Sequence, residues 1–245
     1  MNPGALTSLL FTVLCVLSGI LPSLASAKLT PTEEAEALFF SKNKALAHKG
    51  DPIGQRNLGL CYSNGYGLPR GIDKIIQYHA EAAKWYRKAA EQGLADAQFD
   101  LAEIYRFGSP GVAENPEEAY GWYRCAAEQG HPEAQVKLGY CYMNGSGIPK
   151  DDVEAVRWFR KSAKQGFELA WRCLGSCYEN GEGVAADDVT AYACYTIAGS
   201  YEFAPEALAR VEKRLSADER VKGARLARDL SKQIVTKGES VNKGK

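Results

Sequence analysis

Two serines in this 245-residue chain precede a lysine by three positions, the spacing at which a lysine can activate a serine for acyl transfer. They are Ser41 with Lys44 and Ser240 with Lys243. Enzymes that use this pair also carry Ser-Asp-Asn and Lys-Thr-Gly elements, and neither element occurs in the sequence. We therefore predict that the chain is not an enzyme.

Paired aspartates, whose carboxylates can serve in general acid–base catalysis, occur twice. They are Asp151-Asp152 and Asp187-Asp188. Both pairs stand where a helix is expected to begin, and carboxylates at that position stabilise the helix dipole. A structural role explains them without catalysis.

Two thiols could hold a metal ion. Cys173 and Cys177 lie four residues apart, so a helix would present both on one face. No second cysteine pair lies beside them, and His48, His79 and His131 are scattered along the chain. We predict neither a metal site nor a cofactor.

The composition is that of a globular protein without a strong overall charge. Hydrophobic residues make up 45% of the chain, and 30 Lys and Arg balance 30 Asp and Glu. A core can therefore form, and no net field favours nucleic acid or an anionic membrane. Basic residues are in excess only near the C-terminus, where residues 236–245 are predicted to be a disordered tail.

The N-terminal segment resembles a secretion signal. Residues 1–27 contain no charged side chain, and an apolar run at 9–21 is followed by Ala25-Ser26-Ala27. The run is too short to span a bilayer core of about 30 Å as a helix. We predict cleavage near Ala27 and Lys28 and a secreted or periplasmic protein. Because no Lys or Arg precedes the run, a retained anchor is the alternative.

Four segments of the chain share one frame of Leu, a small residue and Tyr, at 58–62, 101–105, 138–142 and 174–178. A glycine loop follows each segment, and a second block with Trp and paired small residues follows three of the loops, at 85–90, 122–127 and 158–163. The closing glycines Gly93, Gly130 and Gly166 lie 37 and 36 residues apart. A repeat of this length indicates a stack of similar units.

Each unit is predicted to be a helical hairpin, because apolar residues recur at spacings of three and four in both blocks. Gly59, Gly139, Gly175 and Ala102 are small where two helices must approach closely. A lone hairpin cannot bury both apolar faces, so the units must stack. The predicted fold is all-α: a right-handed superhelical solenoid of four repeats of about 36 residues over 51–200.

Helical caps are predicted at both ends of the solenoid. Residues 28–50 form the N-terminal cap, with a capping box at Thr30 and Glu33 and a helix to about His48. Residues 201–235 form the C-terminal cap, with a short helix from Pro205 and a second capping box at Ser216 and Glu219. Seven residues are inserted before Trp85, within 72–83, so the second helix of the first unit should be longer.

The patterns Leu-Gly-x-x-Tyr-x-x-Gly-x-Gly and Trp-Tyr-x-x-Ala-Ala-x-x-Gly resemble the Sel1-like repeat (SLR) family, relatives of the tetratricopeptide repeats, over residues 51–200. The second copy departs from the pattern at Ala102, and the fourth has Cys194-Tyr195 in place of Trp-Tyr. The resemblance implies a superhelical scaffold that assembles complexes in signalling, envelope biogenesis, protein quality control or host interaction. It names no particular partner.

Six cysteines follow the N-terminal segment, at 61, 125, 141, 173, 177 and 194, and an even number in an exported protein invites disulfides. Cys61, Cys141 and Cys177 occupy equivalent positions on helices about 8–10 Å apart, too far for mutual bridges. We predict that they are small buried residues. Cys177 and Cys194, on facing helices of one hairpin, remain the pair to test for a bridge.

A partner protein or peptide is predicted to bind the concave face, along a stripe of the first helices. The stripe takes the residue before each frame leucine and the second residue after it: Asn57, Leu60, Asp100, Glu103, Lys137, Tyr140, Cys173 and Ser176. We expect combined changes at Asp100, Glu103, Lys137 and Tyr140 to abolish binding without unfolding. The alternative is a glycan or cell-wall fragment stacked on an exposed row of Trp85, Trp122 and Trp158.

Overall fold

The computed structural model describes residues 30–69, 71, 74–199, 201 and 203–242, with side chains in the last helix as far as Ile234. Regular structure within this part is helical, apart from one isolated antiparallel bridge between Ser109 and Val112. The predicted all-α fold is confirmed. The predicted signal segment, residues 1–27, lies outside the described residues and stays a prediction.

The helices form two caps and four hairpins in chain order. They are α1 (Pro31–His48), α2 (Pro52–Asn64), α3 (Ile75–Glu91), α4 (Ala95–Phe107), α5 (Pro116–Glu128), α6 (Pro132–Asn144), α7 (Asp152–Ala163), α8 (Glu168–Asn180), α9 (Asp188–Ala198), α10 (Ala204–Glu212) and α11 (Ala217–Asn242). Each first helix packs on the second helix of its hairpin, and each second helix packs on the next first helix. The predicted stack of four hairpins is therefore confirmed.

Side-chain caps begin the helices as the sequence predicts. Thr30 and Glu33 form a capping box at α1, and Ser216 exchanges hydrogen bonds with Glu219 at the start of α11. The carboxylate of Asp151 accepts from the backbone N–H of Glu154, and Asp187 caps α9 in the same way. The first aspartate of each pair is therefore an N-terminal cap, which satisfies backbone donors that a helix leaves free, and the second lies in the first turn.

The predicted close approach of two helices at small residues is also confirmed. A Cβ built on Gly139 would lie 2.5 Å from the ring of Phe159, and one on Gly59 or Gly175 would lie 2.9 Å from Tyr86 or 2.6 Å from Tyr195. A real side chain cannot occupy that space. The aromatic ring of each second helix therefore packs directly on the backbone of its first helix.

Two helices differ in length from a regular unit. The α3 helix has 17 residues against 13 in α5, so the predicted lengthening by the insertion is confirmed. The α11 helix continues to Asn242, beyond the end near Val235 that the sequence predicts. The predicted disordered tail at 236–245 stays a prediction, and residues 243–245 lie outside the described part.

Candidate interaction surface

The predicted binding residues lie at two repeated positions of α2, α4, α6 and α8, which we call the first-helix row. Seven of the eight are half-buried, and Cys173 is buried. None of these side chains projects freely into solvent. Their burial shows that each takes part in packing or hydrogen bonding at the surface of the row.

Contacts between neighbouring repeats account for this burial. Arg56 Nε donates to Asp100 Oδ2 at 2.6 Å, linking α2 to α4. Lys137 Nζ lies 3.2 Å from Glu103 Oε1, linking α6 to α4. The charged residues of the row are thus paired with opposite charges on neighbouring repeats.

Further hydrogen bonds extend the same series at both ends of the row. Asn57 donates to Asn43 of α1 at 3.0 Å. The hydroxyl of Tyr140 lies 2.9 Å from Sγ of Cys173, and Arg172 Nη2 donates to that hydroxyl at 2.9 Å. Side-chain contacts therefore run from the N-terminal cap to the fourth repeat along the row.

These contacts correct one expectation. Changing Asp100, Glu103, Lys137 and Tyr140 together would remove inter-repeat contacts as well as surface charge, because each of the four bonds to a neighbouring helix. Removing one partner leaves a half-buried polar group unpaired, which destabilises a protein. Such a variant is expected to lose stability, so it would not isolate recognition.

Burial shifts the pKa of two ionisable groups on the row. Burial raises the pKa of Asp100, against the effect of its bond to Arg56. Burial also raises the pKa of Tyr140, and the thiol of Cys173 acts in the same direction. Phenols shifted upward stay protonated near neutral pH, so they serve as hydrogen-bond groups rather than as bases.

The buried thiols are similarly unreactive. Burial raises the pKa of Cys61 and of Cys141 to about 11, and that of Cys177 and of Cys194 to about 12. A thiol that stays protonated is a poor nucleophile and metal ligand. Within the described residues, no cluster of three His, Cys, Asp or Glu side chains is arranged to hold a metal ion.

The predicted burial of Cys61, Cys141 and Cys177 is confirmed, since all three are at most 6% exposed. The candidate bridge between Cys177 and Cys194 is not formed in this structure, where both are free thiols. Each fills space between helices of the stack, as a small apolar residue would.

The tryptophans do not form an exposed row. Trp158 is 7% exposed, and Trp85 and Trp122 are half-buried. The ammonium group of Lys88 lies 4.1 Å from the ring centroid of Trp85, and that of Lys161 lies 3.5 Å from Trp158. These rings therefore offer no continuous platform for stacking a sugar.

Glutamines build a second set of inter-repeat contacts that our sequence reasoning missed. Three of them stand three residues before the frame leucine and donate to backbone carbonyls of the preceding helix: Gln55 to Ala47, Gln98 to Ala90 and Gln135 to Ala127. Each also accepts from the glutamine before the closing glycine of its own unit: Gln92, Gln129 and Gln165. The repeated Gln-Gly pairs were the available signal. We call these repeated contacts the glutamine ladder. In the fourth unit Trp171 stands at the position of the first glutamine, three residues before the frame leucine.

An ionic cluster attaches the C-terminal cap to the fourth repeat. The side chain of Glu179 is 7% exposed and accepts from Arg210 at 2.7 Å and from Tyr195 at 2.9 Å. Arg214 bonds to Glu179 and also to Asp188 at 2.6 Å. The cluster thus joins α8, α9 and α10. No local pattern in the sequence indicates it, because the partners are far apart along the chain.

A protein-family model, the Sel1 repeat, matches residues 52–94, 95–131, 132–167 and 174–200. These four segments coincide with the four hairpins and cover more than half of the chain. The chain belongs to the Sel1 repeat family. Its predicted resemblance to that family is therefore confirmed, and the first-helix row is made of the first helices of its Sel1 repeats.

A solved structure with a similar fold supports the same assignment, and a second one is similar in sequence. A Sel1 repeat protein from Oxalobacter formigenes is 30% identical, with a TM-score of 0.61, and the match covers 82% of this chain and 83% of that one. The protective antigen c5321 of uropathogenic Escherichia coli, which has an SLR fold, is 27% identical, with a TM-score of 0.42, over 86% of this chain and 60% of that one. No curated protein matches the chain at a significant level.

Membership of the family carries a general function. Sel1 repeat proteins generally mediate protein–protein interaction, and the repeat is typically a non-catalytic scaffold. Within the residues that the structure describes, no helix is both long and apolar enough to cross a bilayer. The coarse prediction of an interaction protein is thus supported at the level of the family.

Proposed function

We propose that this Sel1 repeat protein is a non-catalytic scaffold that binds an extended segment of a partner protein along the first-helix row. The observation that carries the proposal is the continuity of the row. The same two positions recur in four consecutive repeats, and the charged side chains there, Asp100, Glu103 and Lys137, are partly exposed and paired with neighbouring repeats. In stacked hairpins such a row forms the concave face, where partners dock.

The spacing of the row suggests the form of the partner. Packed helices lie about 8–10 Å apart, and an extended peptide advances about 3.3 Å per residue, so about three residues would pass each repeat. A segment of roughly a dozen residues would therefore span four repeats at that spacing. A segment that carries both acidic and basic residues would complement the Arg56–Asp100 and Glu103–Lys137 pairs.

The glycan alternative receives less support. Carbohydrate recognition by aromatic stacking needs exposed ring faces, and the tryptophans of this chain are half-buried or buried. Two of them are also covered by lysine ammonium groups. A polar row of mixed charge is better suited to a peptide.

We also propose that the protein acts outside the cytoplasm, as an adaptor in envelope biogenesis, signalling or host interaction. The uncharged apolar segment and the small residues before Lys28 support this placement. Determining the first residue of the mature protein tests this placement directly, and we expect it to be Lys28.

A charge exchange separates recognition from stacking. Replacing Glu103 by lysine together with Lys137 by glutamate keeps an ion pair between α4 and α6, and the Tyr123 hydroxyl that donates to Glu103 can also accept. The charges offered to a partner are reversed. We expect the dissociation constant for a partner isolated with the wild-type protein to rise at least tenfold, with the thermal midpoint nearly unchanged.

The matched control is the same exchange at Glu154 and Arg157, an exposed pair 2.8 Å apart on α7. It should leave partner binding unaltered. Equal binding by the Glu103–Lys137 exchange and the wild type would count against the first-helix row as the binding surface.

A further inference from the structure

A cavity of about 530 Å³ lies between the fourth repeat and the last helix. It is bounded by the end of α7, by α8 and α9, and by one face of α11. On α8 the cavity is lined by Trp171 and Leu174, whereas Cys173 and Ser176 of the first-helix row point about half a turn away. The cavity is therefore separate from the proposed partner surface.

The cavity exists where the glutamine ladder stops. In the first three repeats the ladder glutamine joins the ends of two second helices, as Gln135 does through the Ala127 carbonyl and Gln165. Trp171 occupies that position in the fourth repeat and makes no such bridge. The apolar indole of Trp171 thus lies between α7 and α9, where the earlier repeats have hydrogen bonds that join two second helices.

The last helix covers the opening with an apolar stripe. Leu226, Leu230 and Ile234 recur every four residues on α11, line the cavity and are only half-buried. Contacts near both ends of the stripe hold the helix in place. Gly223 packs against Tyr192, where an added Cβ would lie 2.6 Å from the ring, and Ile234 lies beside Gly166.

The charge at the cavity has one sign. Arg160 on α7 and Lys164, the residue that follows this helix, line it, and no Asp or Glu does so among the residues that the structure describes. Arg160 donates to Tyr178 at 2.8 Å through one nitrogen and keeps further donors. An apolar chamber with two cations on one wall is suited to a ligand with an apolar tail and an anionic head.

We propose that this cavity binds a single alkyl chain that carries an anionic head group. The chain lies between Trp171 and the apolar stripe of α11, and the head group contacts Arg160 and Lys164. Free fatty acids and single-chain phospholipids both have this chemistry. Each methylene buried in such a chamber should strengthen binding about fourfold.

The first experiment is calorimetric titration of the full chain with dodecanoate and decanoate, below the concentrations at which they aggregate. We expect saturable binding at one site and an affinity for dodecanoate roughly tenfold or more above that for decanoate. Leu226→Phe with Leu230→Phe fills the cavity and should abolish binding. Val221→Phe, an exposed change on the same helix, is the control and should leave binding intact.

The head group is tested by Arg160→Gln with Lys164→Gln, using Arg157→Gln on the same helix as the control. The double variant should bind dodecanoate about tenfold more weakly and leave the weaker binding of neutral dodecanol unchanged. Titration with a lysophosphatidylglycerol then distinguishes the two sources, because the tighter of the two anionic ligands identifies the natural class.

A second measurement does not depend on the filling variant being folded. A dodecanoate carrying bromine on its chain should quench tryptophan emission of the wild-type protein, and most of that quenching should disappear in Trp171→Phe. Absence of saturable binding by either anionic ligand, binding unaffected by a folded filling variant, or equal quenching in wild type and Trp171→Phe would each overturn the proposal.

Discussion

Replacing Gly147 by alanine is expected to lower the free energy of unfolding by about 3–4 kcal/mol, and replacing Gly145 by only about 1–2 kcal/mol. Both glycines belong to the loop after α6 and have left-handed φ angles of +72° and +68°. An L side chain is strained in that region at either position. The difference between the two arises from the space around them.

Gly147 lies against the preceding repeat. A Cβ there would be 2.2 Å from the backbone oxygen of Pro116, at the start of α5, whereas the nearest atom to a Cβ on Gly145 is 3.5 Å away. A Cβ on Gly183 would likewise lie 2.1 Å from the backbone oxygen of Asp152. Because backbone atoms cannot move aside as a flexible side chain can, alanine at Gly147 would push two repeats apart.

Urea unfolding of the two single variants, each compared with the wild type, measures this difference. A larger loss of stability at Gly147 than at Gly145 would identify the second glycine of the loop as the contact between repeats and the first as a helix terminator. Equal losses in the two variants would show that the loop conformation alone explains the glycine pattern, contrary to the close approach described above.

The second large effect is expected in acid, at the C-terminal cap. Hydrogen bonds from Arg210, Tyr195 and Arg214 hold the pKa of Glu179 at about 2, well below its ordinary value of 4.5. A carboxylate with a lowered pKa in the folded state stabilises the protein above pH 4.5. That contribution is lost as the pH falls from about 4.5 towards about 2.

We expect this contribution to be about 1–2 kcal/mol, less than the full shift would imply, because both arginines are about half exposed and solvent screens their charge. Glu179→Gln keeps the shape and removes the charge. Its free energy of unfolding should lie below that of the wild type at pH 6, and the two should converge near pH 2. A difference that stays constant over this range would contradict the assigned role of Glu179.

Local patterns in the sequence were sufficient for the repeat and its boundaries. The capping residues Thr30 and Ser216, the aspartates at the starts of α7 and α9, and the small residues at the hairpin crossings all act within one turn or one hairpin. Their effects depend on nearest neighbours in the chain, which a sequence displays directly.

Contacts between repeats were much less predictable. Arg56 meets Asp100 and Glu179 meets Arg210 across 44 and 31 residues, so the pairing depends on the stacking geometry of the hairpins. The charge variation along the row was visible in the sequence, but its complementarity was not. The glutamine ladder had a visible period and no assigned role. The structural consequence of Trp171 at the fourth position, a cavity covered by α11, follows only from the position of that helix.

The most direct test of the central claim, that the first-helix row receives a partner protein, is a map of photo-crosslinks. A photoreactive phenylalanine analogue is placed at Leu60 and Tyr140 on the row, and at Arg124 and Arg157 on the second helices. The account predicts a covalent adduct with the same partner from both row positions and none from the second helices. Adducts formed only from the second helices would contradict it.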